Sequence, residues 1–307
     1  MFDIAVILIN YNSANHTIDC IRSVWEKTGP NLNYQIIVTD NCSESADYLQ
    51  LKSFCDSETG KNLQLHRSPI NTGFGGGNMH GVQFADAKYL AFLNNDTFFI
   101  NDCLSILKKT MDENPDMGIC GAQAYKENGD FLISLDHFAS PAREIFGRKF
   151  LEMINPQQYP KRKKKYTQPV KVNFVPGSFM FLRASDFHAV GGFDTNVFLY
   201  YEETDLCLRL AKHNKYAYLI PQAEFIHLHG ASTERSVAIK KELKISLLYI
   251  IRKHYGFFAH KAVLYFLTIK YFFSSIFKAK NRPLFSLFLK GAPLSESLKT
   301  KQKIREI

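Results

Sequence analysis

Three carboxylates lie within four residues at Glu202, Glu203 and Asp205, directly after the aromatic run 198–201. Carboxylates this close repel one another, and one takes up a proton unless water, a cation or a basic partner is near. The same acids would stabilise the first turn of a helix beginning near Glu203. The segment alone therefore allows two interpretations, which are the acidic start of a helix and a general base at the edge of a substrate cleft.

Polar side chains also follow three apolar runs in the first hundred residues. The runs 4–9, 34–38 and 89–93 are continuous enough to predict buried parallel strands. Ligands of parallel sheets bind at the carboxyl ends of the strands. The polar residues at these ends are Asn10, Tyr11 and Asn12, then Asp40 and Asn41, then Asn94, Asn95 and Asp96. We therefore expect one binding edge, where Asp40 is placed to hydrogen-bond a nucleobase or ribose.

A strand-end carboxylate beside two amides has the chemistry of a metal site. Asp96 lies beside the amides of Asn94 and Asn95, and magnesium or manganese takes such oxygen ligands together with water and phosphate oxygens. The same tripeptide is also ordinary in turns. His227 and His229 point to one face of a predicted strand, where an isolated histidine is usually structural. The histidines therefore gain significance only in the company of Asp96 and Glu203.

A glycine-rich segment, NTGFGGGN, runs from Asn71 to Asn78. Its small residues would let the backbone approach a nucleotide, and a helix is predicted to follow through about Ala87. The segment lacks the lysine of a phosphate-binding P-loop and the GxGxxG pattern of a dinucleotide fold. It is therefore a candidate for nucleotide contact that carries neither signature.

The predicted elements of the first hundred residues follow the order β-α-β-α-β-α-β. This order predicts a mainly parallel, Rossmann-like α/β sheet with helices on both faces. The second half is less regular, with strands predicted at 119–125, 131–135, 172–175, 179–183 and 216–220. The polar stretch 136–169 contains the basic run Lys161–Lys165. We expect a mobile solvated loop there, and contact with an acceptor or a lipid phosphate is the alternative.

Charge is distributed unevenly along the 307 residues. Residues 1–236 carry 23 Lys/Arg and 26 Asp/Glu, a net charge of −3, whereas residues 237–307 carry 15 and 3, a net charge of +12. Basic residues interrupt the apolar stretches 243–251 and 262–277, so neither reaches the roughly 18 apolar residues of a spanning helix. We expect amphipathic helices on a membrane surface, through residues 237–290, rather than a nucleic-acid partner. The alternative is a helix pair packed on the body or in a homodimer.

The six cysteines are scattered, with no CxxC pair. Zinc-site spacing is therefore absent, and a disulfide framework is not expected in a chain of this size. Such thiols fit a reducing cytoplasm. The sequence runs from Met1 straight into a predicted strand, so no signal peptide is expected.

Seven motifs in this order resemble the family 2 inverting glycosyltransferases with the GT-A fold, particularly the bacterial rhamnosyltransferase-like branch. The resemblance covers about residues 3–235. The motifs are residues 6–12 (VILINYN), 40–43 (DNCS), 71–78 (NTGFGGGN), 93–97 (LNNDT), 191–194 (GGFD), 202–209 (EETDLCLR) and 227–232 (HLHGAS). Each motif is modest alone, and it is their common order that makes the match specific.

The resemblance implies a binding site for a sugar nucleotide. The donor-binding positions are Asn10, Tyr11, Asp40, Asn71, Asn78, Asn94 and Asn95, with Asn10 and Asp40 on the nucleotide. Residues 94–96 match the DxD-type motif, whose last acid, here Asp96, binds a divalent cation (Mg or Mn) on the diphosphate. In this chain Asn94 replaces the first acid of that motif. His227 matches a further metal ligand, and His229 is the second choice.

The resemblance also implies the catalytic residues. Glu203 matches the family's general base, with Glu202 as the runner-up. Asp205 is expected to hold the base and its helix in place together with Arg209. One base and direct attack by an acceptor hydroxyl invert the anomeric centre.

The resulting expectation is a metal-dependent inverting hexosyltransferase, peripheral on the cytoplasmic face of the plasma membrane. Residues 1–235 form the catalytic domain, with a nucleotide-sugar half at 1–100 and an acceptor half at 101–235, and residues 236–307 form a basic amphipathic helical tail. The donor is a UDP-, dTDP- or GDP-sugar, with rhamnose as one candidate sugar. The acceptor is a lipid-linked or polysaccharide glycan of the cell surface.

Two other functions remain as alternatives. A nucleotidyltransferase shares the sheet and the metal, but it usually has a basic Gly-rich N-terminal loop, which residues 10–13 do not form. A catalytically inactive sugar-nucleotide- or glycan-binding protein is the second alternative. The joint presence of Asp96, Glu203 and His227 argues against it.

Overall fold

The computed structural model describes residues 1–228 and 236–305 of the chain, and across them nine strands form a single sheet. The strands are β1 (Phe2–Asn10), β2 (Tyr34–Asp40), β3 (Leu63–Arg67), β4 (Ala87–Asn94), β5 (Thr97–Phe99), β6 (Met117–Tyr125), β7 (Val170–Val172), β8 (Phe179–Arg183) and β9 (Tyr216–His227). The helices are α1 (Ala14–Lys27), α2 (Ser45–Ser57), α3 (Gly73–Val82), α4 (Cys103–Glu113), α5 (Pro141–Phe146), α6 (Arg148–Ile154), α7 (Ala184–Ala189), α8 (Glu202–Lys212), α9 (Val237–Phe277) and α10 (Arg282–Leu289). One sheet therefore runs through both predicted halves of the body.

The first four positions of the sheet are parallel, in the order β3-β2-β1-β4. Their register places Asn10 beside Asp40 and Ile9 beside Asn94. One face of the sheet packs on α1, α2 and α4, and the opposite face packs on α3, α7 and α8. The predicted α/β sheet with helices on both faces is confirmed, and its polar strand ends meet at one edge.

The second half of the sheet is mixed. Strand β8 runs antiparallel to both β4 and β6, while β9 runs parallel to β6. The long strand β9 ends at His227, which pairs with Thr97 of the antiparallel β5. Strand β7 pairs with the N-terminal part of β9. The sheet is therefore parallel across its first four strands and mixed in the second half, where the antiparallel β5 and β7 are three residues each and were not predicted with these bounds.

Two predicted elements differ from the observed ones. The helix expected through about Ala87 is α3, which ends at Val82, and strand β4 begins at Ala87. Residues 131–135 were predicted to form a strand, but they contribute only an isolated bridge between Phe131 and Tyr125. An apolar run of five residues is too short to distinguish a strand from a packed loop.

Helices α4 and α5 were not predicted, although both begin at a capping residue. The hydroxyl of Ser140 accepts a hydrogen bond from the backbone N–H of Arg143 at 3.2 Å, and Pro141 occupies the first turn of α5. The carboxylate of Asp102 likewise accepts a hydrogen bond from the backbone N–H of Ser105 at 3.1 Å at the start of α4. The stretch 136–169, for which no helix was predicted, is therefore partly helical.

The glycines of α3 allow close packing against the acidic segment. Gly73 has a φ of +75°, and a Cβ there would lie 2.0 Å from the carbonyl oxygen of Phe198. A Cβ at Gly75 would lie 3.5 Å from Cγ of Glu202. Gly73 and Gly75 are therefore explained by close packing against residues 198–202. The sequence had suggested another reason, which was approach of the backbone to a nucleotide.

The C-terminal residues pack on the body through a core of their own. Helix α9 is broken at Gly256, where φ is +83°, and apolar residues from both of its halves and from α10 pack with Ala139 and Val197 of the body. Large apolar side chains remain exposed on this tail: Phe258, Tyr265, Ile269, Phe273, Ile276 and Phe277. Within the described residues, we find no helix that combines the length and the hydropathy needed to cross a bilayer. The tail thus packs on the body through one side and exposes apolar surface on another.

Candidate active site

A cleft of about 950 Å³ opens at the carboxyl edge of the sheet. This volume is in the range of sites that hold small molecules and cofactors. Seven residues predicted from the sequence line it: Tyr11, Asn71, Asn94, Asn95, Glu202, Glu203 and His227. The C-terminal residues contribute a further group: Ser236, Ile239, Leu243, Leu298 and Gln302. The tail therefore completes the cleft that the body begins.

Five other predicted residues lie beneath the cleft surface: Asn10, Asp40, Asn78, Asp96 and Asp205. At most 2% of each residue is exposed. The sixth, His229, lies outside the described residues. Because these five side chains are buried, each is characterised by its contacts with neighbouring residues.

Asn10 and Asp40 brace the ends of the first two strands. The amide nitrogen of Asn10 donates to Asp40 Oδ1 at 3.0 Å and to Asp47 Oδ2 at 2.8 Å, and Thr17 donates to Asn10 Oδ1 at 2.8 Å. The other oxygen of Asp40 lies 3.3 Å from Nε of Arg67. These side chains are satisfied inside the protein, and direct contact of either with a nucleotide stays a prediction.

Asn41 organises the loop that leads into α3. Its sequence position placed it at the expected binding edge, but no donor-binding role was predicted for it. Its amide nitrogen donates to Asn71 Oδ1 and to the carbonyl of Gly73, both at 3.0 Å. Asn71 and Asn41 both line the cleft. Asn78, in contrast, donates to the carbonyl of Phe74 at 3.0 Å within α3. The available signal for Asn41 was its position at a strand end, directly after Asp40.

The amide pair before Asp96 faces the cleft. Asn95 donates to the hydroxyls of Ser13 at 2.7 Å and Thr17 at 2.8 Å, which fixes the turn after β4 against the start of α1. Asn94 lines the cleft beside it. The two predicted donor-binding amides therefore sit at the same strand end, with Asn94 the more exposed of the two.

Asp96 and His227 are brought together by the pairing of β5 with β9. Asp96 Oδ1 is buried and accepts no hydrogen bond from the described residues, and it lies 3.2 Å from His227 Nε2. An orphaned carboxylate oxygen beside an imidazole nitrogen fits the donor set of a divalent cation. The described part of the chain holds no group of three or more His, Cys, Asp or Glu placed for a metal. A cation here would take its remaining ligands from phosphate oxygens and water.

The acidic segment begins on strained backbone. Tyr200 and Tyr201 have φ values of +75° and +70°, a left-handed conformation that is uncommon for bulky residues. Such strain concentrates at functional sites. Helix α8 starts directly afterwards at Glu202, and the backbone N–H of Asp205 donates to the carbonyl of Tyr201 at 2.9 Å. The acids therefore start a helix and also reach the cleft, so the two interpretations of this segment are compatible.

Glu203 has the electrostatics of a general base. Burial raises the pKa of Glu203 to about 7, and the charge of Asp136 adds to this effect while Arg143 opposes it. A general base with a pKa near neutral is ionised in a substantial fraction of molecules at neutral pH and still has the proton affinity needed to accept a proton. Burial, and then the charge of Glu203, raise the pKa of Glu202 well above its usual range. Glu202 is 2% exposed whereas Glu203 is more open to the cleft, so Glu203 is the better placed of the two.

Asp205 does not reach the cleft. Its buried carboxylate bonds Arg209 Nε at 2.8 Å, Lys253 Nζ at 2.6 Å and His254 Nε2 at 2.7 Å. Burial alone would raise the pKa of Asp205, but the bond from His254 and the charges of Arg209 and Lys253 hold it well below its usual range. Because Lys253 and His254 belong to α9, Asp205 ties the catalytic helix to the tail. We therefore propose it as a positioning residue, in place of a catalytic one.

Replacing Asp205 with Asn is expected to destabilise the protein by about 3–5 kcal/mol, since buried cations lose their counter-charge. The folded-state pKa is depressed, so this contribution is present above the unfolded pKa of about 3.9 and is lost as pH falls through the folded value. Urea unfolding at neutral and acidic pH measures it. Asp130→Asn is the matched control, because the contacts of that carboxylate with Lys126 and Asn128 are exposed at the surface. Equal stability of Asp205→Asn and wild type at neutral pH would contradict the positioning role.

Four charged residues of the second half also line the cleft and were not predicted: Asp136, Arg143, Arg148 and Arg162. Arg162 belongs to the basic run that was expected to form a solvated loop. Instead, its side chain is 21% exposed and its Nε lies 2.8 Å from Asp136 Oδ1. The expectation was wrong for Arg162, because one long side chain in a charged run can turn inward to a half-buried partner.

Comparison with known proteins agrees with this architecture. The sequence profile of glycosyl transferase family 2 matches residues 5–191. Rhamnosyltransferase WbbL of Escherichia coli (strain K12) is 31% identical over 230 residues, covering 72% of this chain and 83% of that protein. The N-acetylglucosaminyl-diphospho-decaprenol L-rhamnosyltransferase of Mycobacterium tuberculosis (strain H37Rv) is 34% identical over 87 residues, or 28% of each chain. The solved mannosyltransferase PcManGT from Pyrobaculum calidifontis, in complex with GDP-Man and Mn2+, superposes with a TM-score of 0.56 at 12% identity, over 96% of this chain and 89% of that one.

The sheet, the cleft at its carboxyl edge and the likeness to solved structures define the GT-A fold. The chain belongs to glycosyl transferase family 2. The predicted fold class, family and enzyme class are thereby confirmed. Membership of this family also favours glycosyl transfer over nucleotidyl transfer and over a purely binding role.

Proposed function

We propose that this glycosyltransferase moves a sugar from a nucleoside diphosphate to a hydroxyl of a lipid-linked or polysaccharide acceptor, with inversion at the anomeric carbon. One observation carries the proposal. A single cleft is lined by Glu203, a carboxylate suited to take a proton, and by His227, whose ring lies 3.2 Å from the buried carboxylate of Asp96. Glu203 suits the acceptor hydroxyl, and the Asp96–His227 pair suits the donor diphosphate.

The proposed transfer uses Glu203 as the base and the Asp96–His227 pair as the site for a divalent cation. Glu203 accepts the proton of the acceptor hydroxyl as that oxygen attacks the anomeric carbon. The bond from this carbon to the diphosphate oxygen breaks, and its electron pair leaves with the nucleoside diphosphate. A magnesium or manganese ion held by Asp96 and His227 would stabilise the charge on the leaving group. Attack in one displacement inverts the centre, so no enzyme nucleophile is required.

The donor is assigned to the ends of β1, β2 and β4. Tyr11, Asn41 and Asn71 line the cleft there, and the buried Asn10 and Asp40 hold their backbone in place. A UDP-, dTDP- or GDP-sugar fits such a site. The names of the two rhamnosyltransferase relatives favour rhamnose as the sugar.

The acceptor is assigned to the wall formed by the second half and the tail. Ile239, Leu243 and Leu298 give this wall apolar surface in the cleft that Glu203 also lines. We take residues 1–235 as the catalytic body, with the donor half at 1–100 and the acceptor half at 101–235, and residues 236–307 as the tail. Since the tail lines the cleft, body and tail would act as one unit in cell-surface glycan synthesis.

The exposed side of the tail is proposed to lie on the inner face of the plasma membrane. Phe258 and Phe277 are 86% and 83% exposed, and the tail carries a net charge of +12. Apolar side chains among lysines and arginines suit the interface of an anionic bilayer. A homodimer through the same surface is the alternative, and no nucleic acid is involved.

The double variant Phe258→Asp, Phe277→Asp is expected to lose binding to anionic vesicles, because it removes exposed apolar contacts and adds negative charge. Co-sedimentation of the full chain with phosphatidylglycerol vesicles measures this loss. Leu49→Asp is the control, since Leu49 is also exposed but lies on α2 of the body. If wild type and double variant sediment equally, the membrane assignment fails. A change from dimer to monomer in the variant would favour the homodimer.

Release of nucleoside diphosphate tests the proposed function. The purified chain is incubated with Mn2+ and each of the UDP-, dTDP- and GDP-sugars in turn. A glycosyltransferase should release the diphosphate from at least one donor and should be stabilised thermally by that donor. Stabilisation without any release would favour the binding-only alternative. Release of pyrophosphate from a nucleoside triphosphate would favour nucleotidyl transfer.

A further inference from the structure

We infer that Arg148 and Arg162 form a subsite for the diphosphate group of the acceptor, which we identify by its chemistry as a sugar joined through diphosphate to a prenyl chain. The inference rests on the proposed function, because it concerns the second substrate of the same cleft. Both arginines line that cleft together with Glu203. The inference adds to the proposed function a binding site for the negatively charged diphosphate of the acceptor.

The two arginines converge on a single carboxylate. Arg148 bonds Asp136 twice, with Nε 2.7 Å from Oδ1 and Nη2 2.9 Å from Oδ2. Arg162 Nε lies 2.8 Å from the same Oδ1. Two guanidinium groups thus share Asp136, and the further carboxylate near them, Glu152, accepts a 3.4 Å hydrogen bond from the backbone N–H of Arg162.

Hydrogen-bond donors are left over as well. Within the part of the chain that the structure describes, no oxygen accepts from Arg148 Nη1 or from either Nη of Arg162. The two side chains are 38% and 21% exposed, so they are open to the cleft while Asp136 fixes their orientation. Guanidinium groups held in this way present the planar forks that bind phosphate oxygens.

The surroundings add to the positive potential. The described charged groups of this region include five cations, Arg143, Arg148, Arg162, Lys244 and Lys270, and four carboxylates, Asp136, Glu144, Glu152 and Glu203. Glu144 neutralises Arg143 at 2.7 Å, and Glu152 lies 3.2 Å from His137. Burial lowers the pKa of Lys244, Glu144 opposes this effect, and the charges of Lys270, Arg143 and Arg148 add to it. The cluster therefore has the electrostatics of a site that is completed by an anion.

The position relative to the base fits a sugar diphosphate. The charge of Asp136 acts on Glu203, so the cluster and the base lie within electrostatic range. A sugar whose hydroxyl meets Glu203 would carry the diphosphate on its anomeric carbon toward Arg148 and Arg162. The prenyl chain could then follow Ile239 and Leu243 of α9, which line the same cleft. The donor diphosphate is assigned elsewhere, at Asp96 and His227.

Binding of geranyl diphosphate to the full chain tests the subsite. Calorimetric titration in EDTA keeps cation-dependent binding at Asp96 and His227 out of the measurement. We expect geranyl diphosphate to bind more tightly than geranyl monophosphate, and geraniol to bind least. Arg148→Ala and Arg162→Ala should each weaken the diphosphate affinity at least about 10-fold, as expected for loss of a charged hydrogen-bonding partner.

Two further variants serve as controls for this binding experiment. Lys163→Ala removes an exposed charge next to Arg162 and should leave the affinity unchanged. Arg148→Lys keeps the charge but loses the fork, and it should lose most of the affinity even if Arg148→Ala proves unstable. Unchanged affinity in Arg148→Lys and Arg162→Ala would overturn the inference.

Competition separates the two possible locations of the diphosphate. Displacement of geranyl diphosphate by UDP, dTDP or GDP in EDTA would place it in the donor site and would also overturn the inference. Donor turnover by the same preparation tests the proposed function separately. Turnover without binding of geranyl diphosphate rejects the subsite alone, whereas binding without turnover rejects the glycosyl transfer.

Discussion

Replacing Glu203 with Gln is expected to lower sugar transfer by roughly 10²–10⁴-fold while the fold persists, because Gln keeps the side-chain volume but cannot accept the proton of the acceptor hydroxyl. The base must be ionised to act. Since burial raises the pKa of Glu203 to about 7, wild-type kcat/KM should rise with pH up to this value. Initial rates of nucleoside diphosphate release with acceptor, over a range of about pH 5 to 9, measure both effects.

Stability gives a second readout for Glu203, which faces Glu202 of its own helix and Asp136 and Arg143 of the acceptor wall. A pKa raised from 4.5 means that its stabilising contribution is full below the unfolded value and is lost as pH rises through about 7. Glu203→Gln should therefore resist unfolding better than wild type above neutral pH, and the difference should disappear in acid.

Controls for this variant lie on the same helix and on the surface. Glu202→Gln should retain more activity than Glu203→Gln, because Glu202 is more deeply buried. Glu26→Gln, at an exposed position on α1, should behave as wild type. If Glu202→Gln is the inactive variant and Glu203→Gln turns over normally, the runner-up is the base.

Replacing Asp96 with Ala is expected to lower transfer by roughly 10²–10³-fold, in the range seen when a group that stabilises developing negative charge is removed. The reason is loss of cation-assisted binding of the diphosphate. Among the described residues, Asp96 Oδ1 accepts no hydrogen bond, and its charged neighbour is His227 at 3.2 Å. We therefore expect the unfolding temperature without ligand to change little.

Thermal stabilisation by nucleoside diphosphate checks the Asp96 prediction without relying on turnover. Wild type should be stabilised by nucleoside diphosphate plus Mn2+ more than by nucleoside diphosphate plus EDTA. Asp96→Ala should lose this difference, whereas Asp19→Ala, at an exposed position on α1, should keep it. Retention of the Mn2+-dependent shift in Asp96→Ala would exclude Asp96 as a ligand.

The strand ends were the most predictable part of the site. Buried apolar runs ending in polar residues placed Tyr11, Asn94 and Asn95 at the edge of one sheet, and the structure brings them to one cleft. This succeeded because parallel strands align their carboxyl ends whatever the surrounding loops do. The start of α8 at Glu202 was also predictable from the local sequence, since the acids of its first turn favour a helix start there.

Features that depend on distant partners were not predictable from the sequence. The buried Asp205 joins α8 to α9 because its partners Lys253 and His254 lie on α9, about fifty residues later in the chain. Arg162 turns inward because Asp136 is fixed by pairing with Phe174. No periodicity or spacing records such contacts, since each depends on how loops and the tail pack on the finished sheet.

Stereochemistry at the anomeric carbon tests the central claim most directly. Transfer from a donor of known anomeric configuration, followed by measurement of the one-bond carbon–hydrogen coupling at the anomeric position of the product, reports the outcome of the displacement. Glu203 acting as a base in a single displacement predicts an inverted product from wild type and almost no product from Glu203→Gln. A product with retained configuration would contradict the account, because retention requires an enzyme nucleophile or another mechanism that this site was not assigned.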